Sequence, residues 1–194
     1  MIEVIPEWWP NRSNSTFINL VNYNWHIQKL GSEGKKLLLI HGTGASSHSW
    51  FPLTEDLELD FEILSLDLPG HGFTKTLTKQ KKQLKNIVDQ IYNLLQEINF
   101  IPEIILGHSA GAVIAYELAK KLENSPYTVA INAAFGQFSG LAGVAFPYFA
   151  KIAAATTIPA KLLTLLANKQ DLVQKLLSGT GSCLLYTSPS PRDR

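Results

Sequence analysis

The sequence is poor in cysteine, nearly free of net charge, and empty of histidine after residue 108, and each shortage excludes something. Cys183 is the only cysteine in 194 residues, so a disulfide framework and a cysteine-rich zinc site are both excluded. Lysine and arginine number 17 against 16 acidic residues, a formal charge of +1, which argues against a nucleic-acid partner held by bulk electrostatics. Residues 1–30 show no basic start followed by an apolar core, so the expectation is a cytoplasmic protein without a secretory signal. There is no internal repeat, no long charged block and no pattern that calls for a metal or a cofactor. What the chain does have is 45% hydrophobic residues, enough for the core of one large domain or two small ones.

Glu7-Trp8-Trp9-Pro10-Asn11-Arg12 reads as an irregular arm with two large anchors. Residues 16–21 and 24–30 are β-branched or aromatic runs split by Asn22-Tyr23-Asn24, which predicts a hairpin. Gly31-Ser32-Glu33-Gly34 makes the next turn. The uninterrupted apolar run Leu37-Leu38-Leu39-Ile40 suits a strand buried on both faces. Further strands are expected at 61–66, 103–106 and 127–131. Leu84, Ile87, Val88, Ile91, Leu94, Leu95 and Ile98 fall at helical spacing, and an Ala-rich helix is expected over 110–123. Strands alternating with helices after residue 36 predict an α/β fold with a mostly parallel sheet and helices on both faces.

Thr128 to Ala150 carries no charged side chain, which raises a membrane span. Asn132, Gly136, Gln137, Gly140, Gly143 and Pro147 break any single helix there. The stretch therefore reads as a strand followed by an apolar loop and cap helix, with a surface resting on a membrane as the alternative. Helical pieces broken at Pro159 follow over 151–178. The expected division is a core over 1–135, an incomplete cap segment over 136–182, and a non-native tail over 183–194. Lys75, Lys79, Lys81, Lys82 and Lys85 read as a solvated helix entrance, or as a docking patch for an acidic partner.

Gly107-His108-Ser109-Ala110-Gly111 fits G-x-S-x-G. Chance places such a pentapeptide in roughly one chain of this length in fifteen, but here a short apolar strand precedes it and a helix follows. That is the setting of a nucleophile elbow, with Ser109 held in a strained turn and flanking glycines where Cβ atoms would clash. His41-Gly42-Thr43-Gly44 follows the third strand, where a backbone N–H can face the serine. Thr43, or else Gly44, is expected to give one oxyanion donor and Ala110 the other. His41 reads as a turn-stabilising residue, and with Gly42, Gly44 and His108 it forms the supporting loops. Asp67 in Asp67-Leu68-Pro69-Gly70-His71-Gly72 is expected to hydrogen-bond loop backbone.

These motifs, in this order, resemble the α/β-hydrolase superfamily. A narrower set of segments resembles the magnesium chelatase accessory family of bacteriochlorophyll synthesis. These are Trp9-Pro10-Asn11-Arg12, Trp25-His26-Ile27-Gln28, His41–Ser46, His48-Ser49-Trp50, Asp67–Thr74, Gly107–Ala112, Phe138–Gly143 and Gly179–Ser182. The resemblance runs from about residue 7 to residue 182. It implies an α/β-hydrolase fold, Ser109 as nucleophile, and an accessory role in inserting magnesium into protoporphyrin IX, with magnesium chelatase or a tetrapyrrole as partner.

The superfamily's triad runs Ser, then Asp or Glu, then His along the chain. All five histidines here, His26, His41, His48, His71 and His108, precede Ser109. Asn132 stands near an alternative acid position and cannot carry the charge. From Cys183 onward the composition changes abruptly and resembles translated adaptor sequence; Arg192, Asp193 and Arg194 within it account for the net charge. The expectation is a fold truncated before its last strands, without the triad's acid and base. Two other readings stay open: a serine hydrolase of ester or carbon–carbon bonds in a small apolar substrate, and a binding module without turnover.

Overall fold

The computed structural model describes residues 4–78 and 83–133. Strands β1 (Ser15–Leu20) and β2 (Tyr23–Leu30) form an antiparallel hairpin, followed by β3 (Lys35–Ile40). A 3₁₀ turn over Ser47–Trp50 leads into α1 (Phe51–Leu57) and then β4 (Phe61–Leu66). A two-residue strand β5 (Lys75–Thr76), helix α2 (Leu84–Glu97), strand β6 (Ile104–His108), helix α3 (Ala110–Lys121) and strand β7 (Tyr127–Ile131) complete the described order.

The strands form one sheet in the order β1-β2-β4-β3-β6-β7, with β5 beside β2. β3 pairs in parallel with both β4 and β6, and β6 in parallel with β7, while the hairpin joins β4 antiparallel. The sheet is therefore mostly parallel, as the alternation of elements predicts. Chain order reverses about β3, whose neighbours β4 and β6 lie on opposite sides. Such a switch point leaves a crevice at the carboxyl ends of the strands, the usual ligand position in open α/β sheets.

The apolar run in β3 is explained by its two buried faces. Leu38 and Ile40 point into a core shared with Trp25, Ile27, Leu64, Leu66 and Ile105 and roofed by α2 and α3. Leu37 and Leu39 point the other way, onto Trp50, Ile63 and the α1 residues Leu53 and Leu57. In α2 the side chains of Val88, Ile91, Leu94 and Leu95 are buried, at about 1.5–3 kcal/mol of apolar transfer each.

Three local expectations change. The hairpin turn is Val21-Asn22 rather than Asn22-Tyr23-Asn24, because Leu20 already pairs with Tyr23. Tyr23 packs its ring on Trp25 and is only 2% exposed, and burying that ring outweighs the turn preference of its asparagine neighbours. Helix α1 was not visible in the hydrophobic pattern, although Pro52 in its first turn is a start signal. Strand β5 places Lys75 in the sheet margin, while Lys85 pairs with Asp89 on α2. Lys79, Lys81, Lys82, the cap segment and the tail lie outside the described residues. Among the described residues no helix is long and apolar enough to cross a membrane.

Candidate active site at the elbow

Ser109 sits between the last residue of β6 and the first of α3, with φ 52° and ψ −117°. A side chain at positive φ is strained by about 1–3 kcal/mol and persists only where its surroundings over-determine it. Here they do. The Ser109 N–H donates to the Ile131 carbonyl at 2.9 Å, and its own carbonyl accepts the Ala112 N–H at 3.1 Å. The flanking glycines admit the turn for two different reasons. A Cβ on Gly107 would lie 2.4 Å from the Gly111 carbonyl oxygen, so that residue lets strand and helix close on each other. A Cβ on Gly111 would instead meet the carbonyl oxygens of Ile40 and His41 at 2.2 and 2.5 Å. Gly111 thus lets α3 approach the end of β3, not its own strand.

That approach brings the loop after β3 to the serine. Ile40 lies opposite Gly107 in the β3–β6 ladder, and a Cβ on Gly42 would be 3.0 Å from the Ser109 Cβ. The loop turns tightly, with the Ala45 N–H on the Gly42 carbonyl at 3.2 Å and Gly44 at φ 78°. Thr43 is exposed at its tip. Ala110, as the first residue of α3, has no intrahelical acceptor for its N–H. The helix N-terminus directs partial positive charge toward the same place.

The histidines are accounted for individually. His41 is 1% exposed; its Nδ1–H donates to the Gly42 carbonyl at 2.7 Å and its Nε2 accepts the Leu68 N–H at 2.9 Å. Both ring nitrogens are committed in the neutral form. Burial pushes its pKa down, against smaller opposing effects of the Gly42 hydrogen bond and Asp67. His48 bonds Ser46, and His71 faces the Pro69 carbonyl at 3.4 Å. His108, half-buried, closes β6 and lines a cavity of about 250 Å³ with His41, Ala45, Ser49, Trp50 and Ile131. Among the described residues no histidine is hydrogen-bonded to the Ser109 hydroxyl. Asn132 follows β7 at φ 45°.

Sequence reasoning missed one pair. His26 on β2 and Asp67 at the end of β4 are both 0% exposed, with His26 Nδ1 2.7 Å from Asp67 Oδ2. Asp67 also accepts the Ser47 N–H at 2.6 Å and the Phe73 N–H at 2.8 Å. Burial opposes its ionisation, but His26 and the two N–H donors outweigh that and hold its carboxyl below the usual carboxylate range. Asp67 does bond loop backbone as expected. Its histidine partner, 41 residues away, leaves no local signal beyond a polar residue on a buried strand.

A larger depression of about 450 Å³ lies between α2 and α3, lined by Leu84, Lys85, Val88, Asp89, Glu117, Lys120 and Lys121. It is solvated and ion-paired, at the end of α3 remote from Ser109, and offers no nucleophile. Among the described residues no cluster of His, Cys, Asp or Glu is grouped to hold a metal ion.

Strained serine, strand–turn–helix setting and adjoining Gly-rich loop on this sheet define an α/β hydrolase, and the α/β hydrolase fold family matches residues 35–186. The chain belongs to that family. It is 35% identical over 181 residues to the magnesium-chelatase 30 kDa subunit of Rhodobacter capsulatus, covering 93% of this chain and 63% of that protein. The (E)-2-((N-methylformamido)methylene)succinate hydrolase of Acinetobacter baylyi is 37% identical over 82 residues, 42% of this chain and 31% of that one. The chain thus spans 63% or less of the length of these two relatives. Among solved structures, an N-acyl homoserine lactonase superposes with a TM-score of 0.58 at 20% identity, over 62% of this chain and 45% of that one. The N-formylmaleamic acid deformylase of Pseudomonas putida gives 0.52 at 24% identity, over 61% and 46%. These two likenesses show the fold.

Proposed function

We propose that the protein serves magnesium insertion into protoporphyrin IX, as an accessory to magnesium chelatase in bacteriochlorophyll synthesis. The observation that carries this reading is the 35% identity to the magnesium-chelatase 30 kDa subunit over 93% of the chain. A span of 181 residues out of 194 takes in the hydrolase motifs at 41–44 and 107–111, whereas the hydrolase from Acinetobacter baylyi aligns over 42% of the chain. The partner is then magnesium chelatase or a tetrapyrrole, met in the cytoplasm or at a membrane surface. The apolar composition of residues 138–167, which lie outside the described residues, would suit a flat hydrophobic ligand or a membrane-side surface. The test adds the purified product of the complete gene to a magnesium chelatase reaction on protoporphyrin IX. Faster appearance of the magnesium porphyrin's absorbance is expected; an unchanged rate with and without the protein refutes the reading.

A second reading is favoured by the elbow itself. Ser109 is held at φ 52° beside the Gly42 loop, the geometry of acyl transfer to a serine hydroxyl with oxyanion donors from Thr43 and Ala110. On this reading the protein is a serine hydrolase of an ester or carbon–carbon bond in a small apolar substrate. Ser109→Ala separates the two. Loss of Ser109-dependent ester hydrolysis supports chemistry at the elbow, and undiminished stimulation of the chelatase by the variant supports a binding role.

A further inference from the structure

The two segments that the elbow does not use, the arm at Trp9–Arg12 and the strand at Trp25–Gln28, are locked together. The Gln28 side-chain amide donates to the carbonyl oxygens of Pro10 at 2.7 Å and Asn11 at 3.1 Å, which fixes the arm over the sheet. Trp9 is thereby set against Phe73 edge-on, ring centroids 4.7 Å apart, and against His48 at 4.9 Å. Phe73 in turn stands edge-on to His26 at 5.3 Å. Beneath that aromatic roof lies the His26–Asp67 pair, wholly shielded from solvent. Asp67 uses one oxygen for His26 and the Phe73 N–H and the other for the Ser47 N–H. Ser47 belongs to the loop that begins at Gly42, and Gly42 abuts Ser109.

We propose that His26 is a positioning residue for the oxyanion loop, acting through Asp67 and sealed by Trp9 of the arm. The proposal rests on the hydrolytic reading of Ser109. A buried carboxylate is the strongest acceptor available for a loop N–H, but it holds one geometry only if its remaining lone pairs are also engaged. His26 supplies that engagement: Nδ1 is its bonded atom, while Nε2 has no partner among the described residues. Without His26 the Asp67 oxygen that it bonds keeps only the Phe73 N–H, the carboxylate is held less firmly toward Ser47, and the loop between Gly42 and Ser47 relaxes away from the position the developing oxyanion requires. A histidine that merely filled the core would be replaceable by any side chain of its volume.

The test uses the full chain in its complete-gene form. Asparagine places a donor where Nδ1 stands, and leucine fills the space without one. With p-nitrophenyl butyrate, His26→Leu is expected to lower kcat about 10- to 100-fold with KM within about twofold, and His26→Asn to recover most of the loss. Amide hydrogen exchange read in parallel should show faster exchange at Thr43–Ser47 in His26→Leu, with β6 and α2 unchanged. Should His26→Leu fail to fold, Trp9→Leu opens the roof without breaking a side-chain hydrogen bond, since the buried Trp9 Nε1 has no partner among the described residues, and is expected to loosen the same amides and lower kcat in the same way. Equal kcat in wild type and the leucine variants, or an asparagine variant no better than leucine, overturns the proposal. If the wild type itself shows no Ser109-dependent turnover, the hydrolytic reading fails. The exchange then decides the tie alone: protection at Thr43–Ser47 unchanged in both leucine variants refutes it.

Discussion

Ser109 and Asp67 each carry a local cost that a substitution can expose. Ser109 occupies a backbone conformation that glycine tolerates and serine resists, so Ser109→Gly should stabilise the chain by about 1 kcal/mol, the strain relieved less the entropy added to the unfolded state. Ser109→Ala should change stability little, since it keeps the Cβ. Denaturant midpoints of the two variants measured together check this, and a Ser109→Gly midpoint below that of Ser109→Ala would show that the turn is unstrained. Asp67 is the second. Removing one partner of a buried, hydrogen-bonded pair leaves the other uncompensated, so Asp67→Ala should destabilise by about 3–5 kcal/mol. Its carboxyl titrates below the ordinary value of about 4. The stability it contributes is therefore complete above that unfolded value and disappears as pH falls through the lower folded value. Acid unfolding curves should lose that limb in Asp67→Asn, whose side chain does not ionise.

At the scale of elements, α2 is the clearest case of a helix made by pattern. It buries a stripe of Val88, Ile91, Leu94 and Leu95, while no side chain caps its N-terminus at Gln83. Most of its stability must come from burial. Ile91→Ala, at a site with 0% exposure, should cost about 2–5 kcal/mol, against about 0.5 kcal/mol or less for a change at the exposed Lys85. Thermal unfolding of both variants measures the contrast. Helix α3 is held differently: its entrance depends on Gly107 and Gly111, where added side chains meet backbone atoms that cannot move aside.

Across the described molecule, the marked contrast is between the middle of the sheet and its β7 end. β3 and β4 bury their central residues completely, whereas all five residues of β7 are exposed, with Tyr127 at 78%, Val129 at 44% and Ile131 at 38%. An exposed strand at the end of the described sheet order, with no charged side chain from Tyr127 to Ile131, is a template for pairing with a second chain. The 194-residue chain should therefore self-associate, and Val129→Lys should reduce that association without altering the α2–α3 core. Light scattering over a concentration series tests it; a monodisperse wild type at high concentration contradicts it.

The division between what the chain announces and what it conceals follows the range of the interactions. Strands β4 and β7 were legible to the residue, and α2 and α3 to within two residues of their ends, because apolar period and Gly boundaries are local properties. The elbow was legible too, since strand, G-x-S-x-G and helix are contiguous. The Val21-Asn22 turn and strand β5 were not, because burial of Tyr23 and pairing along β2 decided them, nor was helix α1, whose Leu53 and Leu57 find their partners on β3 and β4. The reason for Gly111 was equally hidden. Its neighbour is the carbonyl of Ile40, which only the parallel register of β3 and β6 brings there. The same holds for His26 and Asp67, or Gln28 and the arm: each residue type is ordinary for its own segment. By itself the sequence determined the α/β class, the strand alternation and the serine at the turn, all set by spacing along the chain. Only the tertiary structure decided which loop the serine faces and what holds that loop, because those contacts join segments that sheet order, not chain order, makes neighbours.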